Sequence, residues 1–215
     1  MNEATLAHWE TQFRHFLANQ NEPTDAAHDA AHIQRVVANA KRLAVSEQAD
    51  LAVVLPAAWL HDCVHVAKNS PQRSQASQLA AVQATAYLTE AGYPENHIPA
   101  IAHAIEAHSF SAGIAPRTLE AQVVQDADRL DALGAIGMAR CFALGGSFGG
   151  SIYHPEEPFG GERPLNDTLY SIDHFYLKLF KLVDLMNTTA GRQEAQRRTQ
   201  FMHAFLQQLR QEITR

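Results

Sequence analysis

LAVVLPAAWLHDCVHV, residues 51–66, begins as a run that is apolar on nearly every side and closes on His61-Asp62. A helix of this composition belongs in the middle of a helical bundle, because it has no polar face to give to water. Asp50 is placed to cap its start, and Pro56 should kink it or mark a junction. The helix is expected over residues 51–64. Two further metal-capable residues flank the pair along the chain, His32 before it and Asp128 after it. Two imidazoles and two carboxylates form a mixed nitrogen and oxygen set. Such a set suits one divalent ion that keeps open positions for water and substrate.

Outward from this segment the pattern stays helical. Ala, Leu and Gln abound, and alternating β-branched runs are nearly absent. The expected helices cover about 3–18, 25–44, 74–89 and 96–108. A longer one opens at Pro116-Thr118 and runs to about 143, and two more cover about 165–186 and 191–214. Residues 144–166 are rich in Gly and Pro and read as a long irregular loop, of the kind that forms lids or contacts substrates. No repeat or linker interrupts the chain, so all 215 residues are expected to form one all-α, single-domain bundle.

A net charge of −6 argues against a protein that binds nucleic acid polymers, and an anionic substrate would need a metal or a local cationic patch. Two cysteines, Cys63 and Cys141, make no disulfide framework and no CxxC pair, which points to a reducing compartment. The N-terminal residues lack a signal-peptide layout, and the apolar run of 51–60 is too short to span a bilayer. The expectation is a cytoplasmic protein with no membrane partner.

The chemistry concentrates near the four residues. Residues three or four apart share a helical face, which pairs His28 with His32, His61 with His65, and Asp128 with Asp131. Adjacent His61 and Asp62 would stand about 100° apart on a helix and reach one ion only from its flank. Asp126, Asp128 and Asp131 repel one another unless a metal and Arg129 compensate. The remaining cations near the site, Arg35, Lys68 and Arg73, are candidates to neutralise phosphate, against the plain alternative of solvated surface charge. Lys178 interrupts an apolar helix face and either snorkels or points to the pocket. His103 and His108 are five apart and so poor joint ligands, with His108 the better candidate for lining the pocket.

HDAAHIQRV (28–36), LHD (60–62) and QDADRLDALGAIGMAR (125–140) resemble the HD superfamily of metal-dependent phosphohydrolases. DHFYLKLFKLVDLMNT (173–188) is similar to the C-terminal half of its YpgQ/YedJ-like bacterial branch. The resemblance implies an all-helical bundle holding one divalent metal through His32, His61, Asp62 and Asp128. Asp128 carries over because it directly precedes Arg-Leu. Asp126 and Asp131 become its supporting neighbours, with Asp131 counted among the substrate-facing groups. Nucleotidase and alarmone-hydrolase relatives place a Glu four residues after the motif His, and here that position is His65. Its imidazole is a general acid or base beside Asp62, or a further ligand, or a polar neighbour.

The implied activity is hydrolysis of a nucleotide through a metal-activated water. The branch suggests (deoxy)nucleoside triphosphates, with pyrophosphate as a product. Mn²⁺ is favoured over Mg²⁺, Fe²⁺, Zn²⁺ or Ni²⁺, because carboxylates and waters suit octahedral coordination. A homodimer is compatible with this reading. Two alternatives compete. A zinc-protease helix would read His61-Asp-Cys-Val-His65 as HExxH, but it leaves His32 and Asp128 unexplained. A non-catalytic, metal-holding nucleotide sensor would need a partner to signal through.

Overall fold

A computed structural model describes residues 1–19, 30–66, 70 and 72–213. Among them the chain is helical, with no strand and one isolated parallel bridge between Ser151 and Tyr170. The all-α expectation holds. No helix among the described residues is long and apolar enough to cross a membrane. Backbone contacts divide the chain into two compact units, Met1–Asp128 and Arg129–Arg215.

The first unit holds α1 (Glu3–Ala18), α2 (Ala30–Glu47), α3 (Leu51–Leu60), α4 (Ala76–Glu90), α5 (Ile98–His108) and most of α6 (Leu119–Asp131). Every residue of α3 from Ala52 to Leu60 is buried, and α1, α2 and α5 pack around it. That is where an all-round apolar helix has to sit. Asp50 caps it as expected, its Oδ1 accepting the Ala52 N–H at 2.8 Å. On α1, Glu10 accepts from Trp59 Nε1 of α3 at 3.2 Å and pairs with Lys41 of α2 at 2.7 Å, so one carboxylate ties three helices.

Pro56 leaves α3 unbroken. A proline has no N–H, so the carbonyl four residues earlier loses its helical partner. That carbonyl belongs to Ala52, and the buried Tyr93 hydroxyl donates to it at 2.6 Å. Tyr93 is set in place by the end of α4. Gly92 takes a left-handed φ of 75°, with Gly92 N bonded to Thr89 O and Tyr93 N to Leu88 O, the paired bonds of a Schellman cap.

The second unit holds α7 (Gly134–Ser147), the short α8 (Ser171–His174), a π-helical turn over Phe175–Leu179, a 3₁₀ stretch over Phe180–Leu185, and α9 (Thr189–Ile213). The single helix expected over 118–143 is two. Gly134 adopts φ 73° between them, and a Cβ there would stand 3.2 Å from the Arg198 side chain. Arg198 Nη1 in turn bonds the Leu130 carbonyl at the end of α6. Gly137 sits so close to the Ala132 carbonyl that a Cβ would fall 2.1 Å from its oxygen. The helix expected over 165–186 starts only at Ser171. Asn166 Oδ1 captures the Thr168 N–H at 3.1 Å and holds the preceding residues in a turn.

The Gly/Pro-rich stretch is partly helical, since α7 runs to Ser147, and the remainder is braced. Arg163 makes two 2.6 Å bonds to the fully buried Asp173 carboxylate, which also accepts the Asn166 N–H at 2.7 Å. Ser151 N bonds Leu169 O at 2.8 Å, and Ile172 N bonds Ile152 O at 2.9 Å. This bracing opposes the free movement that a lid needs.

Two outcomes follow from these contacts. Tyr93→Phe strands a buried carbonyl and should cost about 1–3 kcal/mol in urea unfolding. In a Pro56→Ala background the loss should shrink by about 1 kcal/mol or more, because the alanine N–H at position 56 restores the helical bond; an additive double-mutant cycle would refute this. Asp173 behaves differently. Burial alone would raise its pKa, but the bonds from Arg163 and Asn166 outweigh burial and hold it below the ordinary carboxylate value. The ionised form therefore favours folding, fully so above the unfolded pKa, and the gain is lost as pH falls through the lowered folded value. In Asp173→Asn, amide exchange at residues 151, 166 and 172 should be fast already at neutral pH. In the wild type it should accelerate only in acid.

Candidate metal centre

Two helices end at the candidate centre, and both ends present a histidine. At the end of α3, His61 turns its Nδ1 back to the Ala58 carbonyl at 2.8 Å. At the end of α5, His108 does the same to the Ile105 carbonyl at 2.7 Å. A carbonyl only accepts, so each Nδ1 carries a proton, and in the neutral ring the lone pair is left on Nε2. The two rings lie edge to face, their centroids 4.8 Å apart. His32 on α2 meets the His61 ring at 5.5 Å.

The carboxylates come from the turn after α3 and from α6. His32 Nε2 lies 3.4 Å from Asp128 Oδ1 and 3.8 Å from Asp62 Oδ2. His61 Nε2 lies 3.5 Å from Asp62 Oδ2 and 4.0 Å from Asp128 Oδ1. The other Asp62 oxygen, Oδ1, is 3.5 Å from His108 Nε2. Ligand atoms held about 2.1 Å from one ion stand about 3.0–4.2 Å from each other, and these separations match that spacing. The ligand atoms of His32, His61 and Asp128 lie within 4.8 Å of one another, and so do those of His61, Asp62 and His108. The donor set fits a divalent ion on a further ground. His61 Nε2 is buried and makes no hydrogen bond among the described residues, which an imidazole tolerates when a metal takes the lone pair.

Burial orders the site from back to front. His32 and His61 are 2% and 0% exposed, whereas Asp62 and Asp128 are 26% and 28% exposed, so the carboxylate side opens to water. Burial pushes His61 below its ordinary pKa, against the pull of Asp62 and Asp128, and keeps the ligating neutral form. For His108 burial also acts downward, but the hydrogen bond and charge of Asp62, with Asp128 and Ile105 behind them, lift it above the ordinary value. Burial and the Asp62 charge push the Cys63 thiol up to about 12, and its Sγ points to the Ala80 carbonyl at 3.4 Å, so it is neither ligand nor nucleophile.

The helix expected over 51–64 stops at Leu60, so His61 and Asp62 form a turn, and His65 shares no helical face with His61. The protease-like helix is lost for the same reason. Half-buried Arg35 lies three residues after His32 on α2. Arg73 Nη1 bonds the Val66 carbonyl at 2.9 Å, holding the segment after the His-Asp pair. Lys68 and His28 lie outside the described residues. In the second unit, Asp131 is nearly fully buried against Arg140 at 2.6 Å, and Lys178 pairs with Asp167 at 2.8 Å. Arg129 bonds the Leu185 carbonyl. His108 was expected only to line the pocket and instead joins the cluster. Its place at the end of the helix expected over 96–108 is the signal that marks it.

The HD domain family matches residues 29–133, the span that carries all five clustered residues. YpgQ of Bacillus subtilis is 32% identical over 206 residues, covering 94% of this chain and 92% of YpgQ. The chain belongs to the HD superfamily. Solved structures agree. An HD-superfamily hydrolase from Bacillus thuringiensis shares 34% identity at a TM-score of 0.73, over 98% of this chain and 97% of that one. Bacillus subtilis YpgQ in complex with ADP shares 31% at 0.73, over 99% and 97%. As an HD-superfamily hydrolase, the protein is a metal-dependent phosphohydrolase.

His61→Ala and Asp128→Ala should each weaken Mn²⁺ binding, read by calorimetry, by more than the roughly 10–100-fold typical of a supporting residue. Cys63→Ser should bind like the wild type. Equal affinity in all three variants would remove the ion from this cluster.

Proposed function

We propose that the protein hydrolyses nucleotides, with (deoxy)nucleoside triphosphates as substrates and pyrophosphate as a product, using Mn²⁺ held by His32, His61, Asp62 and Asp128. The observation that carries the nucleotide class is that a relative similar over nearly its whole length, YpgQ, was solved with ADP. The open carboxylate side of the cluster supports it, because a phosphate needs an approach from solvent. A bound divalent ion supplies a Lewis acid for phosphoryl oxygen and lowers the pKa of water.

The chain's own groups supply the rest. Asp62 orients the attacking water and takes its proton, since its carboxylate lies between the buried imidazoles and solvent. His108 Nε2 stands 3.5 Å from Asp62 Oδ1 and shares charge with it as that proton arrives. His65, three residues beyond Asp62 and half-buried, is the second group for proton transfer. Arg35, Lys68 and Arg73 neutralise the polyphosphate, which a chain of net charge −6 would otherwise repel. The free thiols Cys63 and Cys141 suit work in the cytoplasm.

The test is turnover by metal-stripped protein reloaded with Mn²⁺, with phosphate and pyrophosphate quantified separately across nucleoside mono- and triphosphates. Pyrophosphate release from triphosphates, reduced at least about 100-fold in Asp62→Ala, is expected. Turnover confined to non-nucleotide phosphoesters, or unchanged in Asp62→Ala, would overturn the proposal.

A further inference from the structure

Two buried side-chain amides reach across from one helix to the backbone of another, and each bonds the carbonyl directly before a residue of the metal cluster. Asn39 is 5% exposed and lies on α2 seven residues after His32, two turns along the same face. Its Nδ2 donates to the Ala127 carbonyl of α6 at 3.3 Å, and its Oδ1 accepts from Arg42 at 2.8 Å. Ala127 immediately precedes Asp128. Gln125 is 4% exposed and lies on α6 one turn before Asp128. Its Nε2 donates to the Ala107 carbonyl at 2.6 Å, and Ala107 immediately precedes His108.

We infer that Asn39 and Gln125 are positioning residues that clamp α6 between α2 and α5, setting the Asp128 carboxylate against His32 and His61. The inference rests on the cluster being a metal site. Ala107 O is one of the carbonyls a helix end leaves without an intrahelical partner, so Gln125 satisfies that acceptor and fixes α6 in a single act. Ala127 O lies inside α6, where a carbonyl's second lone pair is free for Asn39. Apolar packing alone leaves helices free to slide by fractions of a turn, whereas a directional bond between buried amide and carbonyl specifies register. A slide of one residue along α6 is 1.5 Å, enough to carry Asp128 out of reach of an ion that accepts ligands only within a few tenths of an ångström.

Each amide donates to a backbone carbonyl, at Ala127 and Ala107, so a loss of affinity on removing these bonds is transmitted through geometry. Asn39→Leu and Gln125→Met remove the donors at similar volume without adding charge. Co²⁺ titration of metal-stripped protein, followed by the visible absorption of the bound ion, reads affinity and coordination together. Tyr93→Phe is the control, since it deletes another buried side-chain-to-carbonyl bond in the same unit, at the opposite end of α3 from His61. Each amide variant should weaken Co²⁺ binding by about 10-fold or more and alter its absorption. Tyr93→Phe should match the wild type in both, even where its metal-free thermal midpoint falls as far. Wild-type affinity and spectrum in Gln125→Met would overturn the inference while leaving the metal site intact, and so would equal weakening in Tyr93→Phe. Failure of the wild type to bind Co²⁺ or Mn²⁺ would overturn the metal site itself, and the inference with it.

Discussion

The bond from a histidine Nδ1 to a helix-end carbonyl governs the geometry of the centre. It occurs twice, at His61 with Ala58 and at His108 with Ile105. In each case a backbone carbonyl accepts the Nδ1 proton of the ring. The lone pair of Nε2 is thereby aimed inward without any added residue. The bond to the backbone thus also selects the tautomer that can ligate.

The same economy holds in α3 as a whole. A helix buried on all faces has to meet its neighbours through apolar contact, and Trp59, Leu60 and Val54 do so. The one backbone acceptor that Pro56 deprives of its partner is met by Tyr93, which the Gly92 cap delivers. α3 stays unbroken as far as Leu60, and the turn that follows sets His61 and Asp62 against α2, α5 and α6. A break at Pro56 would move the start of that turn and every distance in the cluster with it.

Much of this was legible from residue order. α1 has the expected bounds, the apolar run of α3 is central, and His32, His61, Asp62 and Asp128 converge. The misses have a shared physical origin, in that periodicity describes a helix interior and says little about how it ends. DALGAIGMAR keeps helical spacing through Gly134, whose left-handed φ and contact with Arg198 depend on residues some sixty positions away. His65 has helical spacing from His61, yet the helix has already stopped. The long-range bonds of Asn39, Gln125 and Arg163 join residues that no local pattern connects. Nor does local pattern reveal the partners of Asp131 and Lys178, which are Arg140 and Asp167.

The graded burial of the cluster bears on the kinetics of loading. His32 and His61 lie against the core, and Asp62 and Asp128 reach solvent. Asp62 and Asp128 are thus the first groups an arriving cation meets. They can exchange their own hydration for its inner waters before the imidazoles take part. His61 Nε2, turned inward by the Nδ1 bond to Ala58, would be a deeper donor behind them. Capture of an ion here would thus be divided between a carboxylate antechamber open to water and a buried nitrogen seat behind it.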